Sequence, residues 1–336
     1  MSELISVVIP TYCRPEMLRV TLDSVLAQDY RPMQLIITDD SPDDASERMV
    51  QGFVVPDGIE LVYRRNTPAL RQAGNVNQGF GLAAGQWTVL IHDDDALLPG
   101  CIETLVAASR EHPEAVLLYG RQRVWSHDGS DDGDGAAEWA NRLVGRTSDR
   151  VGVQPDALSA ALTRQVPNNG YLVRTESARA VGYRPESEVG HVCDFDFGVR
   201  LAQRHPGQTF VLVSAYTSAY RVSAESVSRS NAGGASFGYR ICERVDAAET
   251  AEAARVEALR RFACGAVSEL VAEGHRTEAR AIYHGAYYTG RWTVRGVLHR
   301  GLVSVPMLDR VSEWPLGWYR WSRRRFRNWL RPRRTG

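Results

Sequence analysis

Short apolar runs alternate with amphipathic stretches along the first third of the chain. Four runs have the length and β-branched content of buried strands: ISVVIP (5–10), MQLIITDDS (33–41), IELVYRR (59–65) and QWTVLIHDDD (86–95). The intervening stretches, at residues 15–28 and 69–84 and again from Pro99, carry apolar positions at helical spacing and predict helices. Strands that alternate with helices are typical of a mostly parallel sheet covered by helices on both faces, so the pattern predicts an α/β fold.

The pattern loosens beyond these elements. Residues 115–125 (AVLLYGRQRVW) predict one or two further strands, and the polar, glycine-rich residues 126–135 predict a mobile loop. Two later strands are predicted at residues 170–174 and 209–222, with a helix at 194–205 between them.

A change in composition near residue 230 predicts a domain boundary. The segment SRSNAGGASFG is small and polar there, and the chain then becomes rich in alanine, glutamate and arginine and reads as helical. We therefore predict an α/β domain at residues 1–230 and a helical C-terminal region at 231–336, which ends in a basic, aromatic tail.

Composition sets limits on the class of protein. Hydrophobic residues make up 43% of the chain and charged residues 24%, as in ordinary globular proteins, and no apolar run is long enough for a transmembrane helix. The N-terminus lacks the basic start of a signal peptide, and the five cysteines form no C-x-x-C pair, which argues against a zinc site and favours a reducing cytoplasm. We therefore expect a cytoplasmic protein.

The formal net charge of zero conceals a strongly basic C-terminus, WPLGWYRWSRRRFRNWLRPRRTG. A basic tail with interleaved aromatic residues can bind an anionic membrane surface or nucleic acid. We favour the membrane, which makes the protein a candidate for peripheral contact with the inner membrane face, and expect no nucleic-acid partner. The alternative is a tail that packs its tryptophans on the body of the protein and leaves its arginines in solvent.

Carboxylates follow two of the predicted strands. Asp39 and Asp40 end one of them, and Asp93, Asp94 and Asp95 end another. Because the carboxyl ends of parallel strands meet at one edge of a sheet, where ligands bind in such folds, we expect the two clusters to lie together. Carboxylate oxygens are the ligands that Mg²⁺ or Mn²⁺ prefers, and these ions share their remaining positions with substrate phosphates and water. The alternative for the triple aspartate is a solvated acidic turn.

Three linked stretches carry a resemblance to a known family. They are ISVVIPTYCRPEMLRVTLDSVLAQDYRPMQLIITDDSPDD, NVNQGFGLAAGQWTVLIHDDDALLP and GYRPESEVGHVCDFDFGVRLAQRHP. In order and spacing the chain resembles a bacterial family-two glycosyltransferase with the GT-A fold, over residues 4–222. The resemblance implies a GT-A type sheet and the metal-dependent, inverting transfer of a sugar from a nucleoside diphosphate, UDP or dTDP in preference to GDP. It also implies an acceptor hydroxyl or amine on a glycan, a lipid-linked or a small natural-product molecule.

The same resemblance assigns residues to the donor and to the metal ion. The nucleotide-sugar contacts fall on Pro10, Thr11, Tyr12, Arg14, Asp39, Asp40, Arg71, Asn77 and Asp93. A carboxylate can accept the imide proton of uracil or thymine, and Tyr12 can stack on the base; the alternatives are a core aromatic for Tyr12 and a surface arginine for Arg71. The metal ligands fall on Asp94 and Asp95. His92 stands where many relatives carry an aspartate, and is either a ligand or a packed histidine.

The third stretch supplies the candidate base. Asp194 matches the aspartate that removes the acceptor proton in inverting relatives, while Cys193 replaces a glutamate of the pattern. Asp196 is the alternative base, because either aspartate could be a helix N-cap from spacing alone. Contacts to the acceptor are predicted for the segment around Asn168, Asn169 and Tyr171, for His191, and for the helical C-terminal part.

Two rival classes of function are consistent with parts of the sequence. A nucleotidyltransferase would carry a glycine-rich loop after the first strand, and TYCRPEM contains no glycine. A non-catalytic carbohydrate-binding or scaffolding module with the same fold is kept open by His92 and Cys193, which both depart from the family pattern. Hydrolysis or transfer of a donor in the presence of Mg²⁺ or Mn²⁺ separates an enzyme from such a module.

Overall fold

Nine strands of the described chain form one sheet. The structure, a computed structural model, describes residues 3–222 and 234–304. The strands are β1 (Ile5–Thr11), β2 (Met33–Asp39), β3 (Ile59–Arg65), β4 (Trp87–Leu90), β5 (Ala96–Leu97), β6 (Ala115–Trp125), β7 (Gly152–Val153), β8 (Tyr171–Arg174) and β9 (Thr209–Arg221). Their order is β3-β2-β1-β4-β8-β6-β9-β5, and β7 pairs with β9.

Helices cover this sheet. They are α1 (Pro15–Leu26), α2 (Ala45–Gln51), α3 (Arg71–Leu82), α4 (Cys101–Glu111), α5 (Asp134–Leu143), α6 (Ala157–Leu162), α7 (Thr175–Val181), α8 (Glu186–Val189) and α9 (Cys193–Arg204). The helices that follow are α10 (Ala235–Arg244), α11 (Glu249–Ala272), α12 (Arg276–His284) and α13 (Val294–Ser304). The chain divides into two units, residues 1–230 with 246–255, and residues 231–245 with 256–336.

The first unit has the mostly parallel α/β sheet that the alternation of elements predicts. Strands β1 to β4 are mutually parallel, and β1 is buried on both faces because helices cover both sides. Helix α1 packs its apolar stripe of Leu18, Leu22 and Val25 on the same core. The sheet differs from a fully parallel one at β8, which runs antiparallel to both β4 and β6, and at the short strands β5 and β7, which run antiparallel to β9.

Several short helices were not predictable from the hydrophobic pattern. Helix α5 begins at Asp134, inside the stretch that reads as a loop, and buries only Ala137 and Asn141. Its place is fixed by Asn141, whose side chain accepts a hydrogen bond from the backbone N–H of Gln122 at 3.0 Å and donates one to the Gln122 carbonyl at 2.8 Å. A helix held by one amide side chain leaves little periodicity for a sequence-based prediction to detect.

Helices α10 to α13 of the second unit are joined by ion pairs and buried polar contacts. The Glu269 carboxylate accepts the free N–H groups of Ala235 and Ser236, at 3.1 and 2.8 Å, at the start of α10. Arg240 forms a two-pronged ion pair with Glu278, with both distances at 2.6 Å. None of the helices in the described ranges is long and apolar enough to cross a bilayer. The basic tail from residue 305 onward lies outside the described residues, and its contact with a membrane stays a prediction.

A buried histidine makes the second unit sensitive to acid. The ring nitrogens of His299 lie 2.7 Å from the Tyr288 hydroxyl and 2.8 Å from Ser268 Oγ. Burial, with a smaller contribution from the Arg295 guanidinium, lowers the pKa of His299 from 6.5 to about 4. Between these two values the unfolded chain binds the proton and the folded chain does not, so stability is complete above about pH 6.5 and falls as the pH drops towards 4.

We expect this single group to remove about 3 kcal/mol from the free energy of unfolding between neutral pH and about pH 4. Urea unfolding of the full chain at several pH values measures the slope. The His299→Gln variant should lose that part of the pH dependence, while His275→Gln, a change at an exposed histidine of the same unit, should keep it. Equal slopes for wild type and His299→Gln would contradict the assignment.

Candidate active site

The ends of strands β1, β2 and β4 bring the two carboxylate clusters together. Thr11, the last residue of β1, pairs in register with Asp39 at the end of β2. The Thr11 hydroxyl donates a hydrogen bond of 2.7 Å to Asp93 Oδ2, and its carbonyl accepts one of 3.1 Å from the Asp40 N–H. Thr11, which follows Pro10, therefore lies between the two clusters, at the edge of the sheet where the sequence places a ligand site.

Asp40 is held by two asparagines that sequence reasoning missed. Its Oδ1 accepts hydrogen bonds from Asn66 Nδ2 at 2.8 Å and from the Leu70 N–H at 3.0 Å. Asn66 also donates to Asn75 Oδ1, and Asn75 in turn donates to the Thr11 carbonyl at 3.2 Å. A buried asparagine within the helical pattern of α3 was the available signal. This network fixes Asp40 relative to β1.

Asp39 points into the protein. It is fully buried, accepts the Ser41 N–H at 2.7 Å and receives the Tyr63 hydroxyl. Burial and the neighbouring Asp39 carboxylate raise the pKa of Tyr63, so the phenol stays protonated and remains a donor. Both carboxylate oxygens of Asp39 therefore have partners within the protein: Oδ1 accepts the Ser41 N–H, and Oδ2 accepts the Tyr63 hydroxyl.

Tyr12 lies on the surface at this edge. Its side chain is 58% exposed, which removes the alternative of a core aromatic. The next residue, Cys13, has a φ of 53°, and Arg71 at the start of α3 has a φ of 63°. Non-glycine residues with positive φ are strained and concentrate at functional sites. The Arg71 side chain is exposed, and the residue follows Leu70, whose N–H binds Asp40.

An arginine compensates the triple aspartate. Arg14 Nη1 lies 3.0 Å from Asp94 Oδ2 and 3.6 Å from Asp93 Oδ1. Asp93 also accepts the Thr11 hydroxyl and, at 3.4 Å, the Tyr12 N–H. Burial and the charge of Asp94 raise the pKa of Asp93 to about 6, against the opposing effects of Thr11 and Arg14. Arg14, which is only partly buried, is therefore the cation that these carboxylates share within the protein.

Asp95 is the most buried of the three, at 1% exposure. Its Oδ1 accepts the backbone N–H of Arg221 at 2.8 Å, and its Oδ2 receives the Asn169 amide. The Arg221 Nε donates to the Asp94 carbonyl at 2.9 Å, so the end of β9 closes over the acidic turn. Burial and the charge of Asp94 raise the pKa of Asp95.

His92, Asp94 and Asp95 form a group that fits a divalent cation. Each offers one ligand atom, and these atoms lie within 4.8 Å of one another. Two carboxylate oxygens suit Mg²⁺ or Mn²⁺, and one imidazole nitrogen is a better ligand for a first-row transition metal such as Mn²⁺ than for Mg²⁺. The structure thus places His92 with the acidic residues, as the ligand alternative requires, while Asp93 is engaged by Thr11, Tyr12 and Arg14.

Asp194 lies in the first turn of α9 and is held by a buried tyrosine. The Tyr183 hydroxyl donates to Asp194 Oδ1 at 2.9 Å. The hydroxyl oxygens of Tyr171 and Tyr183 lie 3.2 Å apart. Because Tyr183 donates its proton to Asp194, Tyr171 is the donor in this second hydrogen bond. Burial raises the pKa of Asp194, and His92, followed by Tyr183, opposes this shift. The charge of His92 thus acts on Asp194 across the protein.

The alternative base, Asp196, does not fit this role. The residue is fully buried, and both of its oxygens are covered by guanidinium groups. Arg184 donates to both oxygens, through Nε to Oδ2 at 3.0 Å, and Arg200 Nε donates to Oδ2 at 2.7 Å. Both oxygens of Asp196 thus already bind guanidinium groups, which favours Asp194 over Asp196 as the candidate base.

Burial and internal hydrogen bonds disfavour three further assignments. Asn77 uses both ends of its amide on the backbone of Tyr183, at 2.7 and 2.9 Å, and so faces α7 and the turn after it instead of a nucleotide. Asn169 is fully buried against Asp95, and Tyr171 is 1% exposed within β8. Both side chains are thus covered by other parts of the protein, and their contact with an acceptor stays a prediction.

Two acceptor candidates remain accessible. Asn168 is half-buried and accepts a 3.4 Å hydrogen bond from Gln122 Nε2. His191 is half-buried, and its Nδ1 lies 3.1 Å from Glu186 Oε1 just ahead of α9. Their role in acceptor binding stays a prediction.

Comparison with known proteins identifies similar chains. The family model for glycosyl transferase family 2 matches residues 6–147. The glycosyltransferase GlyG of Streptococcus pneumoniae is 30% identical over 132 residues, which are 39% of this chain and 42% of that protein. The GalNAc(5)-diNAcBac-PP-undecaprenol beta-1,3-glucosyltransferase of Campylobacter jejuni is 29% identical over 107 residues, 32% of this chain and 35% of that protein. The matched segment thus spans less than half the length of either relative.

Solved structures share the fold at low sequence identity. The complex of Staphylococcus aureus TarS (residues 1–349) with UDP-GlcNAc has a TM-score of 0.57 at 14% identity, and the match covers 89% of this chain and 81% of that one. The mannosyltransferase PcManGT of Pyrobaculum calidifontis, in complex with GDP-Man and Mn²⁺, has a TM-score of 0.56 at 15% identity, with 92% and 87% covered.

Proposed function

We propose that this chain, whose residues 6–147 match the family model for glycosyl transferase family 2, is an inverting glycosyltransferase that uses a nucleoside-diphosphate sugar. The observation that carries the proposal is the position of His92. It belongs to the group that fits a cation, with Asp94 and Asp95, and it also acts on the charge of Asp194. In this proposal the leaving diphosphate would lie at that group and Asp194 would act as the base on the same sugar, as a displacement at an anomeric carbon requires.

The donor would lie at the edge formed by β1, β2 and α3. The exposed ring of Tyr12 offers a stacking surface for a base, and Asp40, fixed by its asparagines, offers a carboxylate to the imide N–H of uracil or thymine. This chemistry favours UDP or dTDP. The two similar structures hold UDP-GlcNAc and GDP-Man, so both kinds of nucleotide belong in the test.

Asp94, Asp95 and His92 would hold Mn²⁺ or Mg²⁺. A bound cation of this kind neutralises the charge that develops on the departing diphosphate. Arg14, already within 3.0 Å of Asp94, and the exposed Arg71 are placed to add positive charge on the same side. Asp194 Oδ1 is fixed by Tyr183, which leaves Oδ2 to take the acceptor proton while the acceptor oxygen attacks the sugar from the opposite face.

For the acceptor we propose a lipid-linked glycan. One relative is named for a GalNAc(5)-diNAcBac-PP-undecaprenol substrate, and the basic tail of this chain is of the kind that contacts anionic membranes. A cytoplasmic protein, peripheral at the inner membrane face, fits such an acceptor. A soluble glycan or a small-molecule acceptor is the alternative within the same reaction class.

A thermal-shift panel of UDP, dTDP and GDP, each with and without Mn²⁺, tests the proposal. We expect UDP or dTDP to raise the melting temperature only when the cation is present, because a ligand that binds the native state alone stabilises it. Release of the nucleotide from the matching sugar donor then tests for turnover. Binding without release or transfer to any glycan acceptor would favour the non-catalytic module.

The proposed base also predicts a role for Tyr183 as a positioning residue. We expect Tyr183→Phe to lower turnover by roughly tenfold and to leave the KM for the donor unchanged, because one hydrogen bond to a charged group is lost. The acid limb of the pH–rate profile should move to higher pH, since the Tyr183 hydrogen bond lowers the pKa of Asp194. Tyr119→Phe, which removes another buried hydroxyl, 2.8 Å from Gln165, is the matched control and should leave the profile in place.

A further inference from the structure

The second unit presents an apolar surface at its last described helix. Trp292, just before α13, is 90% exposed, and Val294 and Val297, one turn apart on α13, are 72% and 57% exposed. We call these three residues the Trp292 surface. Two other residues of α13, His299 and Leu302, are buried. The helix is therefore anchored by one side and leaves apolar side chains in solvent on another.

This surface is held in place by arginines. Arg291 donates to the carbonyls of His284 and Gly285 at 3.0 and 2.8 Å, which satisfies the free carbonyl groups at the end of α12. Arg295 donates to Ser268 Oγ of α11 at 2.7 Å. The residues on either side of Trp292 are thus fixed to two other helices of the same unit, so the exposed tryptophan belongs to an ordered part of the chain.

The stretch of chain that carries the surface has charges of one sign. Residues 279–304 contain no aspartate or glutamate, whereas Arg280, Arg291, Arg295 and Arg300 fall within them. From α13 the sequence continues into residues 305–336, which hold nine arginines, four tryptophans and only two carboxylates. Arginines beside exposed apolar side chains attract an anionic partner and disfavour a second copy of the same face.

We propose that the Trp292 surface docks onto an anionic lipid bilayer. Amphipathic helices with apolar residues on one side and arginines beside them lie in the membrane interface, where tryptophan sits at the level of the headgroups. Arginines near the surface attract anionic lipids over a Debye length. The inference depends only on exposure and charge, and it holds whether or not the first unit transfers a sugar.

Co-sedimentation of the full-length chain with vesicles tests the inference. We expect binding to vesicles of phosphatidylcholine mixed with phosphatidylglycerol, and little binding to phosphatidylcholine alone. The double variant Trp292→Ala/Val297→Ser should bind the mixed vesicles about tenfold more weakly, because apolar area no longer enters the interface. Added salt should weaken vesicle binding by both the wild type and the variant, because salt screens the charge of the arginines. The ratio of their affinities should stay the same, because salt does not screen the apolar contact.

The first unit offers a matched control. Trp139 and Leu143 on α5 are 66% and 62% exposed, so Trp139→Ala/Leu143→Ser removes the same kind of side chain elsewhere. The control should bind as the wild type does, and thermal melts should match for all three proteins because no buried contact is removed. Wild-type binding by the Trp292 variant, an equal loss in the control, or a lipid-free dimer that the Trp292 variant abolishes would each overturn the proposal.

Discussion

Replacing Asp194 with asparagine is expected to lower turnover by roughly a hundred- to ten-thousand-fold, the usual contribution of a positioned general base. The amide keeps the size of the side chain and its contact with Tyr183 Oη, so the fold and the affinity for the nucleotide should change little. Steady-state kinetics of the sugar transfer, together with the nucleotide thermal shift, separate the two effects. Near-normal turnover in Asp194→Asn would place the base elsewhere.

Asp196→Asn is the control for this experiment, because it is the neighbouring carboxylate on the same helix. The change removes the negative partner of two guanidinium groups, Arg184 and Arg200, at a fully buried position. We expect a loss of stability on the order of 3 kcal/mol, as when one member of a buried ion pair is deleted. Turnover per folded molecule, measured well below the melting temperature, should fall far less than in Asp194→Asn.

Replacing Asp94 with alanine is expected to abolish the cation-dependent part of nucleotide binding. In the wild type, UDP with Mn²⁺ at about a hundred times its dissociation constant is expected to stabilise the native state by about 2.7 kcal/mol. The variant should lose this stabilisation, since a cation would retain only Asp95 and His92 from the group. Thermal melts with and without Mn²⁺ measure it directly, with Asp57→Ala, a change at an exposed aspartate outside the site, as the control.

The ligand-free stability of Asp94→Ala distinguishes a binding role from a structural one. Asp94 raises the pKa of both Asp93 and Asp95 by repulsion, and its pair with Arg14 is partly exposed and contributes little. Without ligand, the variant should therefore melt at or above the wild-type temperature. A variant that is less stable without ligand and still responds fully to Mn²⁺ would show that Asp94 supports the fold instead.

His92 bears on the choice of cation in the same experiment. An imidazole ligand favours Mn²⁺ over Mg²⁺, and a carboxylate in the same position gives a smaller preference between the two ions. The His92→Asp variant should thus narrow the difference between the thermal shifts produced by the two ions. An unchanged preference would mean that His92 packs beside the group without binding the ion.

Much of the site is predictable because its main residues follow strands. The apolar runs determine β1, β2 and β4, and the parallel arrangement then brings Thr11, Asp40 and Asp94 to one edge without any tertiary information. The supporting residues are a different case. Asn66 binds Asp40, and Tyr183 binds Asp194, through contacts that form only in the tertiary fold. The spacing of residues along the sequence does not predict such pairs.

The errors have a related cause. Tyr171 and Asn169 are buried although they lie close in sequence to exposed positions. Strand β8 lies in the middle of the sheet and is covered on both faces. In such a strand the side chains on both faces are buried, so their alternation does not distinguish exposed from buried residues. Asn77 occupies a position of the family pattern, yet both ends of its amide form hydrogen bonds with the Tyr183 backbone. A motif gives the residue type at a position and says nothing of the direction of its side chain.

That last contact has a consequence for kinetics. Helix α3 carries Arg71 at its start and, less than two turns later, Asn77, which holds the backbone of the residue that orients Asp194. The helix packs against β1 so closely that a Cβ at Gly79 would lie 2.3 Å from a methyl group of Val8. A small displacement of α3 would therefore move both Arg71, on the proposed donor side, and the Tyr183 backbone that positions the proposed base Asp194. Substitutions in this helix should change KM and kcat jointly, and α3 would link occupancy by the donor to readiness for the acceptor.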